Sequence, residues 1–148
     1  MVGFGEAHIV KYLNKMFETK GIHAFAWRIP QLRYRLQVAD IVVDSPLPEF
    51  FMVIEVKSCE TPHYFNIDTR KRSKAFNSTQ LEIMCNFADK TGRLPYYVIA
   101  YRPKRKVTHG KATFYTVDAY ELLELYKAGR KRISLHDECY EGIIFPAE

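Results

Sequence analysis

No apolar run in the chain approaches the roughly 20 residues needed to cross a bilayer, so the sequence excludes a transmembrane helix. The opening residues, Met1-Val2-Gly3-Phe4-Gly5-Glu6, have neither the basic start nor the apolar core of an export signal. Cysteine is scarce: Cys59, Cys85 and Cys139 stand far apart and form no Cys-x-x-Cys pair. That argues against a disulfide framework and a cysteine zinc site, and an odd count without an export signal fits a reducing interior. The expectation is a cytoplasmic protein with no membrane partner, whose cysteines are small buried or neutral residues. His8, His23, His63, His109 and His136 show no HxH or HxxxH spacing, so a histidine metal site is not indicated. Neither GxxxxGK[ST] nor GxGxxG occurs, which removes support for nucleotide-driven chemistry. Internal repeats, low-complexity stretches and interdomain linkers are also missing.

What is present fits one domain over residues 1–148, a length that buries a core without disulfides. Apolar residues make up 47% and charged residues 26%. The formal net charge of +5 and a pI near 9.1 favour polyanionic partners.

Glu6 to Lys20 reads as a helix, with Val10, Leu13 and Phe17 at helical spacing and Gly21 as its stop. Ile22 to Ile29 reads as a strand ended by Pro30. Val38 to Val43 and Phe51 to Val56 are apolar, β-branched runs, and the turn-rich segment Asp44 to Glu49 makes them a hairpin. Cys59 to Asn77 lacks a period and is expected to be a long surface loop. Thr79 and Glu82 match a capping box for a second helix closed by Gly92. Leu94 to Tyr101 and Thr113 to Val117 follow as strands, with a third helix over Ala119 to Lys127. This order gives an α/β fold with a mixed central sheet flanked by helices.

The third strand carries the chemistry. Side chains alternate faces along a strand, so Glu55 and Lys57 point the same way. In an antiparallel hairpin the start of one strand lies beside the end of the next, which lets Asp40 meet Glu55. Two converging carboxylates and a backbone carbonyl, here that of Val56, form a hard oxygen-rich site of the kind that suits Mg2+ or Mn2+. Lys57 can then orient or deprotonate a water, or stabilise the developing phosphorane. Glu6, one turn before Val10, continues the inward stripe, although an acid in a first helical turn also simply suits the helix dipole. The pattern ExK by itself also fits a strand-end salt bridge.

Gly5-Glu6 opening a helix, Val38-Ala39-Asp40-Ile41-Val42, Ile54-Glu55-Val56-Lys57-Ser58, and Gln80 with Phe87-Ala88 resemble the PD-(D/E)xK nuclease superfamily. Within it the likeness is greatest to archaeal-type Holliday junction resolvases, over about residues 5 to 101. Position 39 is Ala rather than the Pro that names the motif. The resemblance implies a restriction-endonuclease-like core and a Mg2+-dependent endodeoxyribonuclease acting in DNA recombination. It makes Glu6, Asp40 and Glu55 metal-ligand or metal-supporting acids and Lys57 the catalytic lysine. It also suggests that Gln80 lines the site, where the residue-level alternative is an exposed first-turn helix position.

Basic residues gather at Arg28, Arg33 and Arg35; at Arg70 to Lys74; at Arg102 to Lys106; and at Arg130 to Arg132. The first two groups flank the candidate strands, so Arg33, Arg35, Arg70 and Arg72 are the expected DNA contacts. The reading is therefore a homodimeric or higher homo-oligomeric nuclease on branched or duplex DNA. Alternatives are a site-specific homing or restriction-like endonuclease, a non-catalytic DNA-binding module on the same scaffold, and a basic α/β domain that binds protein.

Overall fold

The structure is a computed structural model, and it describes residues 4–31, 37–73, 77–102 and 112–145. Helix α1 spans Phe4–Lys20. Ile9, Leu13 and Phe17 recur at helical spacing and are buried. Gly21 ends the helix at φ 67°, a left-handed conformation that costs a residue without Cβ little. The chain then forms β1 (Phe25–Arg28), β2 (Ile41–Asp44) and β3 (Met52–Cys59), with a 3-10 turn at Pro48–Phe50 before β3. Short strands β4 (Tyr64–Asn66), β5 (Lys71–Ser73) and β6 (Ser78–Thr79) precede α2 (Gln80–Thr91). After β7 (Leu94–Tyr101) come β8 (Thr113–Asp118), α3 (Ala119–Lys127), β9 (Arg132–Ser134), α4 (Leu135–Glu138) and β10 (Tyr140–Glu141).

The central sheet has the order β1-β2-β3-β7-β8-β10. β3 and β7 are parallel, joined through α2, while the other neighbours are antiparallel, so the sheet is mixed. One face packs on α1: Ile9, Leu13 and Phe17 meet Ala26, Ile41, Val43, Met52 and Ile54. The other packs on α2 and α3: Leu81, Met84, Ala88 and Leu122 meet Val42, Val53, Tyr97 and Ile99. The alternation along β3 follows from its pleat and assigns each side chain to a layer. Met52, Ile54 and Val56 face α1; Val53, Glu55 and Lys57 face the α2 side.

The mixed sheet between helical layers is the expected α/β architecture. Three expectations change. The strand read over Val38 to Val43 begins only at Ile41, because beyond the Asp40 backbone the next amide of β3, that of Val56, is taken by the Asp40 side chain and not by a preceding strand residue. The span expected to be a loop, Cys59 to Asn77, carries β4 and β5, which pair with β9 and β6. The first of these pairs depends on a segment distant in sequence. The chain after Lys127, to which the sequence reading assigned no element, holds β9, α4 and β10, and β10 extends the central sheet beside β8. No helix among the described residues is long and apolar enough to cross a membrane.

The capping box on α2 forms. The Glu82 N–H donates to the Thr79 hydroxyl at 3.2 Å, and the Thr79 N–H donates to the Glu82 carboxylate at 2.8 Å. Thr79 is fully buried, and removing its hydroxyl takes the partner from the Glu82 amide. Thr79→Ala is expected to cost about 1–2 kcal/mol in urea unfolding. Thr91→Ala, at the exposed end of the same helix, should cost less than about 0.5 kcal/mol.

Candidate active site

The hairpin register pairs Ile41 with Ile54, Val42 with Val53 and Val43 with Met52. β2 therefore stops while β3 runs on to Cys59. At that end the Asp40 N–H donates to the Ile54 carbonyl at 3.2 Å, and the Val56 N–H donates to Asp40 Oδ2 at 2.8 Å. A strand residue directs its N–H and C=O to the same side, so the Val56 carbonyl shares this open edge with the Asp40 carboxylate. The Asp40 charge acts on the Glu55 carboxyl across the end of the hairpin. Lys57 Nζ lies 3.4 Å from Glu55 Oε2.

Burial dominates the electrostatics here. Glu55 is only 6% exposed, and burial, followed by the Asp40 charge, pushes its carboxyl up to about 8 against the pull of Lys57. Burial also raises Asp40, to about 6, opposed by the Val56 amide and assisted by the charge of Glu6. Both carboxyls are thus raised, Glu55 further than Asp40, and the pair favours holding a proton near neutrality.

Glu6 is held apart from this pair. It sits in the first turn of α1, and its carboxylate pairs with Arg28 at 3.1 Å. It acts on Asp40 through charge rather than through a hydrogen bond. The start of α1 comes close to β3 because position 5 is glycine: a Cβ there would stand 3.3 Å from Val56 Cγ1.

Gln80 is not exposed at the helix start. It is 8% exposed, and its Nε2 donates to the Val38 carbonyl at 2.8 Å and towards the Gln37 carbonyl at 3.4 Å. Gln37 in turn donates to the Ala39 carbonyl at 2.7 Å. The described contacts thus make Gln80 a brace for the segment that delivers Asp40.

Arg70 and Arg72 are on the surface beside the acids, but both are engaged. Arg70 donates to both oxygens of Asp68, at 3.0 and 2.9 Å, and Arg72 donates to Asp68 Oδ2 at 3.0 Å. Arg33 and Arg35 lie outside the described residues. Of the C-terminal basic group, Arg130 pairs with Glu138 at 2.7 Å and the Arg132 guanidinium lies 4.2 Å from the Tyr64 ring centre. Asp68 is the residue that sequence reasoning missed. Its Oδ2 is 3.9 Å from Lys57 Nζ. Hydrogen bonds from Arg70 and then Arg72 hold its carboxyl well below the usual range. The local signal was the spacing Asp68-x-Arg70-x-Arg72, which suits a turn whose acid binds the basic residues that follow it.

Among the described residues no group of three His, Cys, Asp or Glu side chains is gathered to hold a metal ion. The donor set is two carboxylates and one strand-edge carbonyl. Such a set fits Mg2+ or Mn2+, which take oxygen ligands and complete their shell with water and substrate. A groove of about 890 Å³ between α2 and α3 lies outside this cluster, lined by residues such as Glu82, Phe87 and Tyr120.

No family model matches the chain, and no curated protein matches it. Among solved structures the chain is similar to Hjc of Archaeoglobus fulgidus, a Holliday junction resolvase from an archaeal hyperthermophile. The identity is 18%, the match covers 74% of this chain and 76% of the other, and the TM-score is 0.43.

The raised carboxyls set a sign for stability. In the folded state they keep protons that the unfolded chain releases near the ordinary carboxylate pKa. Their contribution is full below that value and is lost as pH rises through about 6 for Asp40 and about 8 for Glu55. In EDTA, the Tm should fall between pH 5 and 8.5, and Glu55→Gln should flatten that slope. A parent Tm that rises across the same range would contradict the raised carboxyls.

Proposed function

We propose that the chain is a metal-dependent DNA endonuclease of the junction-resolving kind, acting as a homodimer on branched DNA. The observation that carries this reading is the convergence of Asp40, Glu55 and Lys57 where β2 ends and β3 continues. Two buried carboxylates are costly when both are ionised, and either a proton or a bound cation offsets that cost. Asp40 and Glu55, with the Val56 carbonyl, would hold Mg2+ or Mn2+. A cation of this class makes water a better nucleophile and offsets charge on a phosphodiester.

The chain's own residues account for the rest of the chemistry. Lys57 presents an ammonium within reach of the same point, where it can orient the attacking water and stabilise negative charge on the phosphorane. The Val56 amide fixes one oxygen of Asp40, and Gln80 braces the segment before it, so the carboxylate is positioned in advance. Glu6, paired with Arg28, contributes negative charge beside Asp40 and supports the site from α1. Arg70 and Arg72 place positive charge on the surface next to Lys57, where a DNA phosphate would pass. Junction selectivity and the dimer rest on the likeness of the motif-bearing segments to archaeal-type resolvases, since the hydrolytic core by itself serves many DNA shapes.

The test is cleavage of junction, duplex, flap and single-stranded substrates in magnesium. Junction DNA should be cut preferentially. Lys57→Ala and Asp40→Ala should each reduce the rate by about a hundredfold or more while leaving DNA binding in EDTA intact. Cutting that survives both changes removes the mechanism, and uniform cutting of all substrates removes the junction preference.

A further inference from the structure

Lys57 has a second anionic neighbour besides Glu55. Asp68 follows β4 on an anchored turn: Ile67 is buried, and its N–H donates to the Lys131 carbonyl at 2.9 Å. The Asp68 carboxylate then collects three cations. Arg70 takes both oxygens as a fork, and its own N–H donates to Oδ1 at 3.0 Å. Arg72 takes Oδ2 at 3.0 Å, and Lys57 Nζ stands 3.9 Å from the same oxygen. Asp68 and Lys57 are mostly buried, with side chains 16% and 19% exposed, whereas Arg70 is 74% exposed. Two guanidiniums on one carboxylate leave a surplus of positive charge, carried outwards by the exposed Arg70. A planar fork of this kind fixes direction as well as charge.

We propose that Asp68 is a positioning residue: it aims Lys57 at the Asp40–Glu55 site and holds Arg70 and Arg72 as a ready-made seat for a DNA phosphate beside the bond being cut. This rests on the nuclease reading above. Asp68 touches none of the reacting atoms. It gives the lysine a second anionic neighbour besides Glu55, which holds the ammonium at the site instead of letting it swing to solvent. The same restraint spends part of the guanidinium charge on Asp68, so the arrangement gives up affinity for DNA in return for alignment.

That exchange produces two effects of opposite sign in one variant. Asp68→Asn keeps the side chain's shape and removes its charge. Its dissociation constant for uncut junction DNA in EDTA should fall by about threefold or more, because Arg70 and Arg72 are released to phosphate. Its single-turnover cleavage rate in magnesium should fall by about tenfold to a hundredfold, as a misaligned lysine would cause. Asp68→Glu should recover part of the rate. Glu124→Gln, the same change of net charge on the exposed face of α3, should alter neither quantity, which separates local restraint from overall charge.

A merely structural role for Asp68 would weaken binding and cleavage together, in step with a lower Tm, and Asp68→Glu would not rescue them. That result overturns the proposal, as does an Asp68→Asn variant that cuts within about twofold of the parent. If the parent cuts no DNA with any divalent metal, the nuclease reading falls by itself. The binding measurement then judges the Asp68 network, and unchanged or weaker binding by Asp68→Asn overturns it.

Discussion

Where β2 would otherwise continue alongside β3, the Asp40 side chain takes its place, and the Val56 N–H donates to a carboxylate instead of to a neighbouring strand. This single hydrogen bond does two things. It satisfies an amide that would be left without a partner at the strand edge. It also leaves the same edge of β3 open, with the Val56 carbonyl and the Glu55 side chain beside the acid. Had the ladder continued through the residues before Ile41, a strand would close that edge and cover the Val56 carbonyl. Gly5 and Gln80 support the arrangement from two sides, one by letting α1 approach β3 and the other by holding the Val38 carbonyl.

The acids near Lys57 fall into two electrostatic kinds. Asp40 and Glu55 are raised by burial and by one another, which makes them weak as anions and receptive to a cation. Asp68 is lowered by Arg70 and Arg72 and stays charged. Lys57 lies between a carboxyl that tends to hold a proton and one that does not, 3.4 Å from the first and 3.9 Å from the second. Pairs of groups whose surroundings push them apart in this way mark functional sites more often than structural ones.

How much of this was legible in the sequence follows from the range of each interaction. The shared face of Glu55 and Lys57 is a period of two along one strand. The hairpin that brings Asp40 to Glu55 is closed by a short turn. The α2 cap needs only Thr79 and Glu82. All three are local, and the sequence pattern carried them. The exposure of Gln80 was not local: its hydrogen bond to Val38 spans 42 residues, so a helix-start position that looked free is buried. For Asp68 the spacing to Arg70 and Arg72 was local, but its nearness to Lys57 was not. Its place beside Lys57 depends on β4 pairing with β9, a partner that follows the third helix and has no signal near Asp68. The Arg28 pairing of Glu6 likewise required knowing how α1 crosses β1.

The most direct measurement is calorimetric titration of Mn2+ into the metal-free protein at pH 7, repeated in buffers of different ionisation enthalpy. A cation displacing a proton held by the raised Asp40–Glu55 pair must release it to the buffer. The account predicts saturable binding with net proton release, both lost in Asp40→Asn. Binding without proton release, or binding unchanged in that variant, would contradict the claim that the Asp40–Glu55 pair is the metal site.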